Sequence, residues 1–322
     1  MHKSSRIYVA GHTGLVGSCI LRNLQENSYG NILTRTHGDL DLTNQLKTAE
    51  FFEKEKPDFV ILAAAKVGGI VANSTLPADF ISLNLAIQQN VIMSALNTGV
   101  NDLLFLGSSC VYPRDCPQPI KEEYLLTGPL EETNRAYAIA KIAGLEMCMS
   151  CNRQYNTRYF CVMPTNIYGR GDNYSPQHSH VLPGLMRRIH EAKKAKSPEV
   201  VVWGSGSPAR EFLFGDDLAG GCVFLINNRK KFLQLSKNKG LPPVYNIGSG
   251  EEVSIRKLAE MLCHVVGYQG KLVFDVSKPD GTPRKLLDNS LMLQMGWAAN
   301  TSLEKGLSLT YADYLENHAN EC

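Results

Sequence analysis

Ile7-Tyr8-Val9-Ala10-Gly11-His12-Thr13-Gly14-Leu15-Val16-Gly17 is the stretch on which the fold turns. A short apolar strand runs into a G-x-x-G-x-x-G turn, and a helical pattern follows over 15–26. The glycines let the backbone turn sharply and approach a pyrophosphate, and the third, Gly17, allows close packing of helix on strand. The helix start, with Leu15 and Val16 beside Gly14, offers unpaired N–H groups and the positive end of a dipole. A bare glycine triplet is a weak signal. Strand, turn and helix in that order make it a dinucleotide-binding turn.

Outward from that turn, β-branched runs alternate with helical stretches. Ile7 to Val9, Ile32 to Thr34, Phe59 to Leu62, Leu103 to Leu106 and Tyr159 to Val162 read as strands without polar alternation, as parallel strands buried on both faces do. Helices are expected near 15–26, 44–55, 78–98 and 135–154. Repeated βα units imply an α/β fold, a doubly wound parallel sheet of Rossmann type. After Pro164 the texture changes, with one helix (about 181–195) and one strand (Val200 to Trp203) across 165–212. A helix near 216–227 and a strand Val244 to Ile247 return to the sheet. A helix Ser254 to Val266, a strand Leu272 to Phe274 and a helix 303–317 follow. The expected division is a cofactor-binding domain of 1–165 plus about 213–248, and a smaller α/β substrate domain of about 166–212 and 249–322. The basic stretch Arg229 to Lys239 reads as a solvated loop between elements.

Composition narrows the function classes. The 322 residues are 43% hydrophobic and 20% charged, with net charge +2, an ordinary globular balance that excludes general disorder. Near-neutral charge argues against binding nucleic acid or a membrane surface, which need a basic field. The longest apolar run, Phe59 to Ala65, is seven residues, whereas a membrane span needs about 20. The first residues hold no signal-peptide core, so a cytoplasmic protein is expected. Nine cysteines at irregular spacing read as reduced thiols. Cys148 and Cys151 form a C-x-x-C inside a helical pattern, read as two buried side chains one turn apart; no metal site is expected.

The end of the second strand selects the cofactor. An acid there would hold ribose hydroxyls and a base would accept a 2′-phosphate. Thr34-Arg35-Thr36-His37 has no acid before Asp39, which favours NADP(H) with Arg35, and His37 as a second candidate, as partners; the plainer reading lets Arg35 extend into solvent. The fourth strand ends in Gly107-Ser108-Ser109-Cys110, where parallel sheets place ligands. Tyr137 and Lys141 lie four apart on one helix face. A neighbouring ammonium is expected to lower the tyrosine's pKa, and Ser108 to hold a carbonyl oxygen against Tyr137.

With these motifs the chain resembles the extended short-chain dehydrogenase/reductase superfamily, and within it the GDP-keto-sugar epimerase-reductases. The resemblance covers nearly the whole chain and is carried by LAAAKVGGIVAN (62–73), FLGSSCVYP (105–113), YAIAKIAG (137–144), VMPTNIYG (162–169), SHVLPGLMRR (179–188), VVVWGSGSPAREF (200–212) and SKPDGTPRKLLD (277–288). It implies conversion of GDP-4-dehydro-6-deoxy-D-mannose to GDP-L-fucose, by 3,5-epimerisation and then hydride reduction at C4. In that family Cys110 and His180 would be the two acid/base groups of epimerisation, and Ser108, Tyr137 and Lys141 would hold the enolate oxygen. Lys141, Pro164, Asn166 and His180 would touch the cofactor. Arg188, Trp203, Arg210 and Asp280 would bind the GDP-sugar, with Lys285 in the same motif as Asp280. The family's usual basic residues are replaced by Thr13 and His37, and a histidine of E-F-L-H-V-D-D by Phe214.

The resemblance also implies a homodimer pairing helices near 83–98 and 137–153, which the apolar Leu85, Val91, Ile92 and Ala95 permit, although the same residues suit an intramolecular core. Two other functions stay open at this point. One is a reductase acting only at C4 of a related GDP-keto sugar or heptose; the other is a non-catalytic NADP-sensing protein.

Overall fold

The computed structural model describes residues 1–176, 179–278 and 280–319. The chain begins with β1 (Ile7–Ala10), α1 (Leu15–Glu26), β2 (Ile32–Leu33), α2 (Gln45–Glu55), β3 (Phe59–Leu62), α3 (Ile70–Thr75), α4 (Pro77–Asn97) and β4 (Asp102–Leu106). It continues through α5 (Arg135–Tyr155), β5 (Arg158–Pro164), β6 (Asn166–Tyr168), α6 (Val181–Lys194), β7 (Glu199–Trp203), β8 (Ala209–Phe214) and α7 (Gly215–Lys239). The last part comprises β9 (Val244–Ile247), β10 (Glu252–Ser254), α8 (Ile255–Val266), β11 (Lys271–Asp275), β12 (Arg284–Lys285), α9 (Ser290–Gln294) and α10 (Leu303–Asn317).

Six parallel strands make the main sheet in the order β2-β1-β3-β4-β5-β9. Every residue of β1, β3, β4 and β9 is buried, because helices cover both faces. One face packs α2, α4 and α5 through Phe52, Val91 and Leu145; the other packs α1 and α7 through Ile20, Leu218 and Ile226. The strand order reverses between β1 and β3, the place where such sheets open a crevice for a ligand. A smaller unit centres on β8, with β10 antiparallel to it and β6 and β12 parallel. There α6, α8 and α10 share a core of Leu185, Leu258 and Tyr314 with β7 and β8.

Three expectations are corrected. Arg229 to Lys239 is no loop, since α7 runs unbroken to Lys239 and ends at Gly240 in a left-handed cap. Phe232 is fully buried there, and Ser236 donates to Tyr245 Oη at 2.9 Å, so a buried stripe persists beneath the charges. Secondly, the 165–212 segment holds β6 and β8 besides the expected helix and strand. Thirdly, the 249–322 segment does not stay in the second unit: Leu291 and Met292 of α9 pack into the main sheet's core with Ile247. Cys148 and Cys151 are buried as expected, and the eight described cysteines are free thiols; Cys322 lies outside the described residues. Among the described residues no helix is long and apolar enough to cross a membrane.

At the amino end of the sheet Asp102 is shared by two arginines, Arg158 (2.6 Å) and Arg229 (2.7 Å), tying β4 and β5 to α7. Burial pushes its carboxyl up, but the hydrogen bonds and charges of the two arginines outweigh that and hold it below the usual carboxylate value. Its contribution is therefore fully present above the unfolded value of about 3.9 and is lost as pH falls through the lower folded value. Asp102→Ala leaves two guanidinium groups on one buried edge; with Arg158 partly exposed, a loss of about 2 kcal/mol is expected by urea denaturation. The difference from the native protein should shrink at acid pH. A cavity of about 630 Å³ opens at this same amino end, lined by Met1, Asp102, Arg158 and Arg229. None of the expected site residues lines it.

Candidate active site

The glycine turn joins β1 to α1 at the reversal of strand order. Gly11 has φ +85°, and a Cβ there would stand 2.6 Å from the Ala64 backbone nitrogen at the end of β3. A Cβ on Gly17 would stand 2.0 Å from Gly11 O, so the start of α1 is drawn against the strand end. Gly14 caps α1 without any side-chain hydrogen bond, and no acidic residue occupies the first turn. The free N–H groups and the absence of negative charge there fit a bound pyrophosphate. Arg35 follows β2, but its guanidinium pairs with Glu55 at 2.8 Å, donates to Thr34 O and lies over the Phe51 ring. A 2′-phosphate at this position would meet a preplaced cation already shared with a carboxylate. His37 is largely exposed, 4.0 Å from Asp41.

Beyond β4 the chain enters a single 3₁₀ turn, Ser109–Val111, which Ser108 begins by accepting from the Cys110 N–H at 3.2 Å. The start of α5 lies alongside. There Asn134, at the position of a helix cap, makes no capping bond; its Nδ2 donates to Cys110 Sγ at 3.2 Å. Lys285 Nζ approaches the same sulfur at 3.6 Å. Tyr137 lies one turn into α5, edge-on to Phe80 with ring centroids 6.3 Å apart.

Lys141 is buried beneath Tyr137, donating to Leu106 O at 2.7 Å with its ammonium 5.8 Å from the Tyr137 centroid. Its position directs the charge to the end of β4 rather than onto the phenol oxygen. Burial lowers the Lys141 value to about 8. The expected lowering of Tyr137 is overturned: burial pushes the phenol up, the Cys110 charge adds to this, and a hydrogen bond with Ser108 opposes it only in part. The phenol is thus kept protonated, the form that can donate.

His180 precedes α6, capping it with extended backbone. Its side chain is exposed, yet the protein around it desolvates the charged form and lowers its imidazole's pKa. Arg188, two turns on, donates to Gly184 O and Val201 O and stacks over Trp203, 5.4 Å from the ring. Its neighbour Arg187 turns away to Glu191. Trp203 is 53% exposed, leaving most of an indole face uncovered beside that guanidinium. Arg210 extends from β8 within the electrostatic reach of Cys110 and Asp280. Asp280 accepts from both the N–H and the hydroxyl of Ser205. Pro164 ends β5, and Asn166, two residues on, donates to Glu211 O at 2.8 Å. Phe214 packs in the second core against Tyr168 at 5.7 Å, an apolar setting with no polar task for a side chain.

Ser108, Cys110, Tyr137 and Lys141 therefore share one cluster, and Arg188 and Trp203 share another on the second unit. Two polar contacts escaped sequence reasoning, one in the first cluster and one behind Asn166. Asn134 has the look of an ordinary helix cap, which hides its bond to Cys110. Glu211 is fully buried; its carboxylate accepts from Gly250 and Leu287 N–H groups and its carbonyl from Thr165 and Asn166.

A model of the NAD dependent epimerase/dehydratase family matches residues 7–248. GDP-L-fucose synthase 1 of Arabidopsis thaliana is 57% identical over 318 residues, covering 99% of this chain and 95% of that one. GDP-L-fucose synthase of Escherichia coli (strain K12) is 50% identical over 312 residues, covering 97% of each. Among solved structures, a GDP-6-OMe-4-keto-L-xylo-heptose reductase from C. jejuni is similar at TM-score 0.93 and 36% identity, with 99% of each chain covered. A GDP-L-fucose synthetase from Naegleria fowleri bound to NADP is similar at TM-score 0.87 and 27% identity, covering 99% of this chain and 96% of that one.

Proposed function

Since the chain belongs to the NAD dependent epimerase/dehydratase family, we propose that it makes GDP-L-fucose from GDP-4-dehydro-6-deoxy-D-mannose, inverting C3 and C5 and then reducing C4. The observation that carries the reading is the shared footing of thiol and phenol: Ser108 bonds both Tyr137 and the Cys110 backbone. A carbonyl oxygen held by Ser108 and Tyr137 would bring its neighbouring C–H bonds toward Cys110.

Cys110 as thiolate takes the proton alpha to the ketone, and the C–H electron pair moves onto the C4 oxygen. Ser108 and Tyr137 hold that oxygen as an enolate in a preorganised, largely desolvated site. His180 returns a proton to the other face, the role of an imidazole acid. NADPH, when bound in the glycine turn, supplies the hydride for C4. Tyr137 gives its proton to the C4 oxygen, while Lys141, charged below about 8, stays bonded to Leu106 O as a cation beneath that ring. Arg188, Arg210 and Trp203 would grip the diphosphate and the nucleoside, forked guanidinium groups matching phosphate oxygens. Asp280 would orient the sugar nucleotide through the loop it pins at Ser205. Residues 1–165 with 213–248 and α9 would carry the cofactor, and 166–212 with the rest of 249–322 the GDP-sugar.

The test is turnover of GDP-4-dehydro-6-deoxy-D-mannose with NADPH, read by product NMR. Formation of GDP-L-fucose is expected, and its absence overturns the proposal. Arg35→Ala should raise KM for NADPH about tenfold, the scale of one lost charge-assisted hydrogen bond, and leave KM for NADH unchanged. Equal effects on the two cofactors would remove Arg35 from the 2′-phosphate.

A cytoplasmic homodimer belongs to the same proposal. Val91, Ile92 and Ala95 are buried in this chain's own core and Leu85 is half-buried, so the first three cannot form the dimer face. Met93 on α4 and Ile139 on α5 keep apolar side chains exposed, and these helices would pair with their symmetry mates.

A further inference from the structure

We propose that Lys285 is a positioning residue for epimerisation, its ammonium stabilising negative charge on Cys110 Sγ whenever that sulfur has given up its proton. This rests on the reading of Cys110 as the base. The two groups come from distant parts of the chain: Cys110 follows β4 of the main sheet, and Lys285 sits on β12 of the smaller unit, with Nζ 3.6 Å from Sγ. The strand that carries Lys285 is pinned on all sides. Lys285 pairs in register with Arg210, Leu286 N–H donates to Gln118 at 2.9 Å, and Leu287 N–H donates to the buried Glu211 carboxylate at 3.1 Å. Ile120 N–H closes the other side on Leu286 O at 2.7 Å.

Among the described residues, Lys285 is the cation in hydrogen-bond contact with the sulfur, at 3.6 Å. On β8, Arg210 lies within electrostatic reach, as does the neutral Tyr137 on α5. Arg114, Glu131 and Arg284 line the same small cavity as Cys110 and Lys285. Arg114 is paired with Asp115 and Arg284 with Glu252, while Glu131 accepts from Thr133 and Thr282. Among the described residues Lys285 has no carboxylate at ion-pair distance. The half-buried ammonium's field therefore falls on two thiols, Cys110 at 3.6 Å and Cys116 within electrostatic reach. Asn134 donates to the same Cys110 sulfur at 3.2 Å, so two N–H donors meet it. A lysine carries three donors, so this contact leaves others for the sugar nucleotide.

The proton balance follows. The substrate C–H bond breaks, an S–H bond forms, and the electron pair goes to the C4 oxygen; the sulfur's negative charge is thereby neutralised while Lys285 keeps its own proton. Charge passes from a site facing Lys285 to one facing Tyr137, with no proton lost to solvent.

The thiolate is the nucleophile toward alkylating agents, so iodoacetamide reports on this charge without any substrate. The test measures the alkylation rate of the Cys110 peptide by mass spectrometry in the native protein, Lys285→Met and Lys285→Arg. At pH 7, Lys285→Met should slow alkylation about tenfold, the effect of removing one adjacent cation. Lys285→Arg should restore most of it. At pH about 10, where an ordinary thiol is ionised, the three rates should converge, which a mere change in access or packing would not produce. Equal rates at pH 7, or a deficit in Lys285→Met that persists at high pH, overturn the proposal. If the alkylation pattern holds but the native protein exchanges no deuterium into substrate, the pairing of Lys285 with Cys110 stands and the epimerase reading fails.

Discussion

Tyr137→Phe is expected to lower kcat for C4 reduction about 10²–10⁴-fold, the range for loss of a general acid, in a spectrophotometric assay of NADPH oxidation. The phenyl ring keeps its edge contact with Phe80 and its place above Lys141, so the fold and KM for the GDP-sugar should change little. What is lost is the proton that must reach the C4 oxygen as the hydride arrives. Burial holds the phenol neutral in the resting site, so the acid is loaded before substrate binds. Reductase activity surviving undiminished would remove Tyr137 from the chemistry.

Cys110→Ser separates the two halves of the reaction. In D₂O without NADPH, the native protein should introduce deuterium at C3 and C5 of the substrate, and the serine variant about 10²–10⁴-fold more slowly, read by NMR. Serine fills nearly the same space between Asn134 and Lys285, but its hydroxyl ionises far less readily than a thiol. Hydride transfer to a GDP-4-keto sugar that needs no epimerisation should persist in Cys110→Ser, since Ser108, Tyr137 and Lys141 are untouched. Absence of exchange by the native protein would favour reduction at C4 alone. Exchange at native rate in the variant would move the base elsewhere.

Elements built on a single dominant signal were legible before any coordinates. The glycine turn, the parallel sheet and α1, α2, α4 and α5 lie within a residue or two of expectation, because buried parallel strands read as unbroken apolar runs and helices as periodic ones. β8 was not legible. Its Arg210-Glu211 pair reads as a polar break, and only the neighbouring chain segments supply the N–H groups that make a fully buried Glu211 tolerable. The tail of α7 failed for the reverse reason, since a run of lysines masks the stripe through Phe232 and Ser236 that faces Tyr245.

The sequence by itself determined the kinds of groups available and the local frames that hold them: Ser108 and Cys110 at a strand end, Tyr137 and Lys141 one turn apart. Spacing along one helix or one turn is a short-range property that the chain writes directly. Which cation meets Cys110 was decided only by the tertiary structure, because Lys285 is 175 residues away and reaches the sulfur through the packing of the smaller unit on the main sheet. The same packing reversed the expected titration of Tyr137. Desolvation depends on everything that surrounds a side chain, and no spacing of Tyr and Lys along a helix records it.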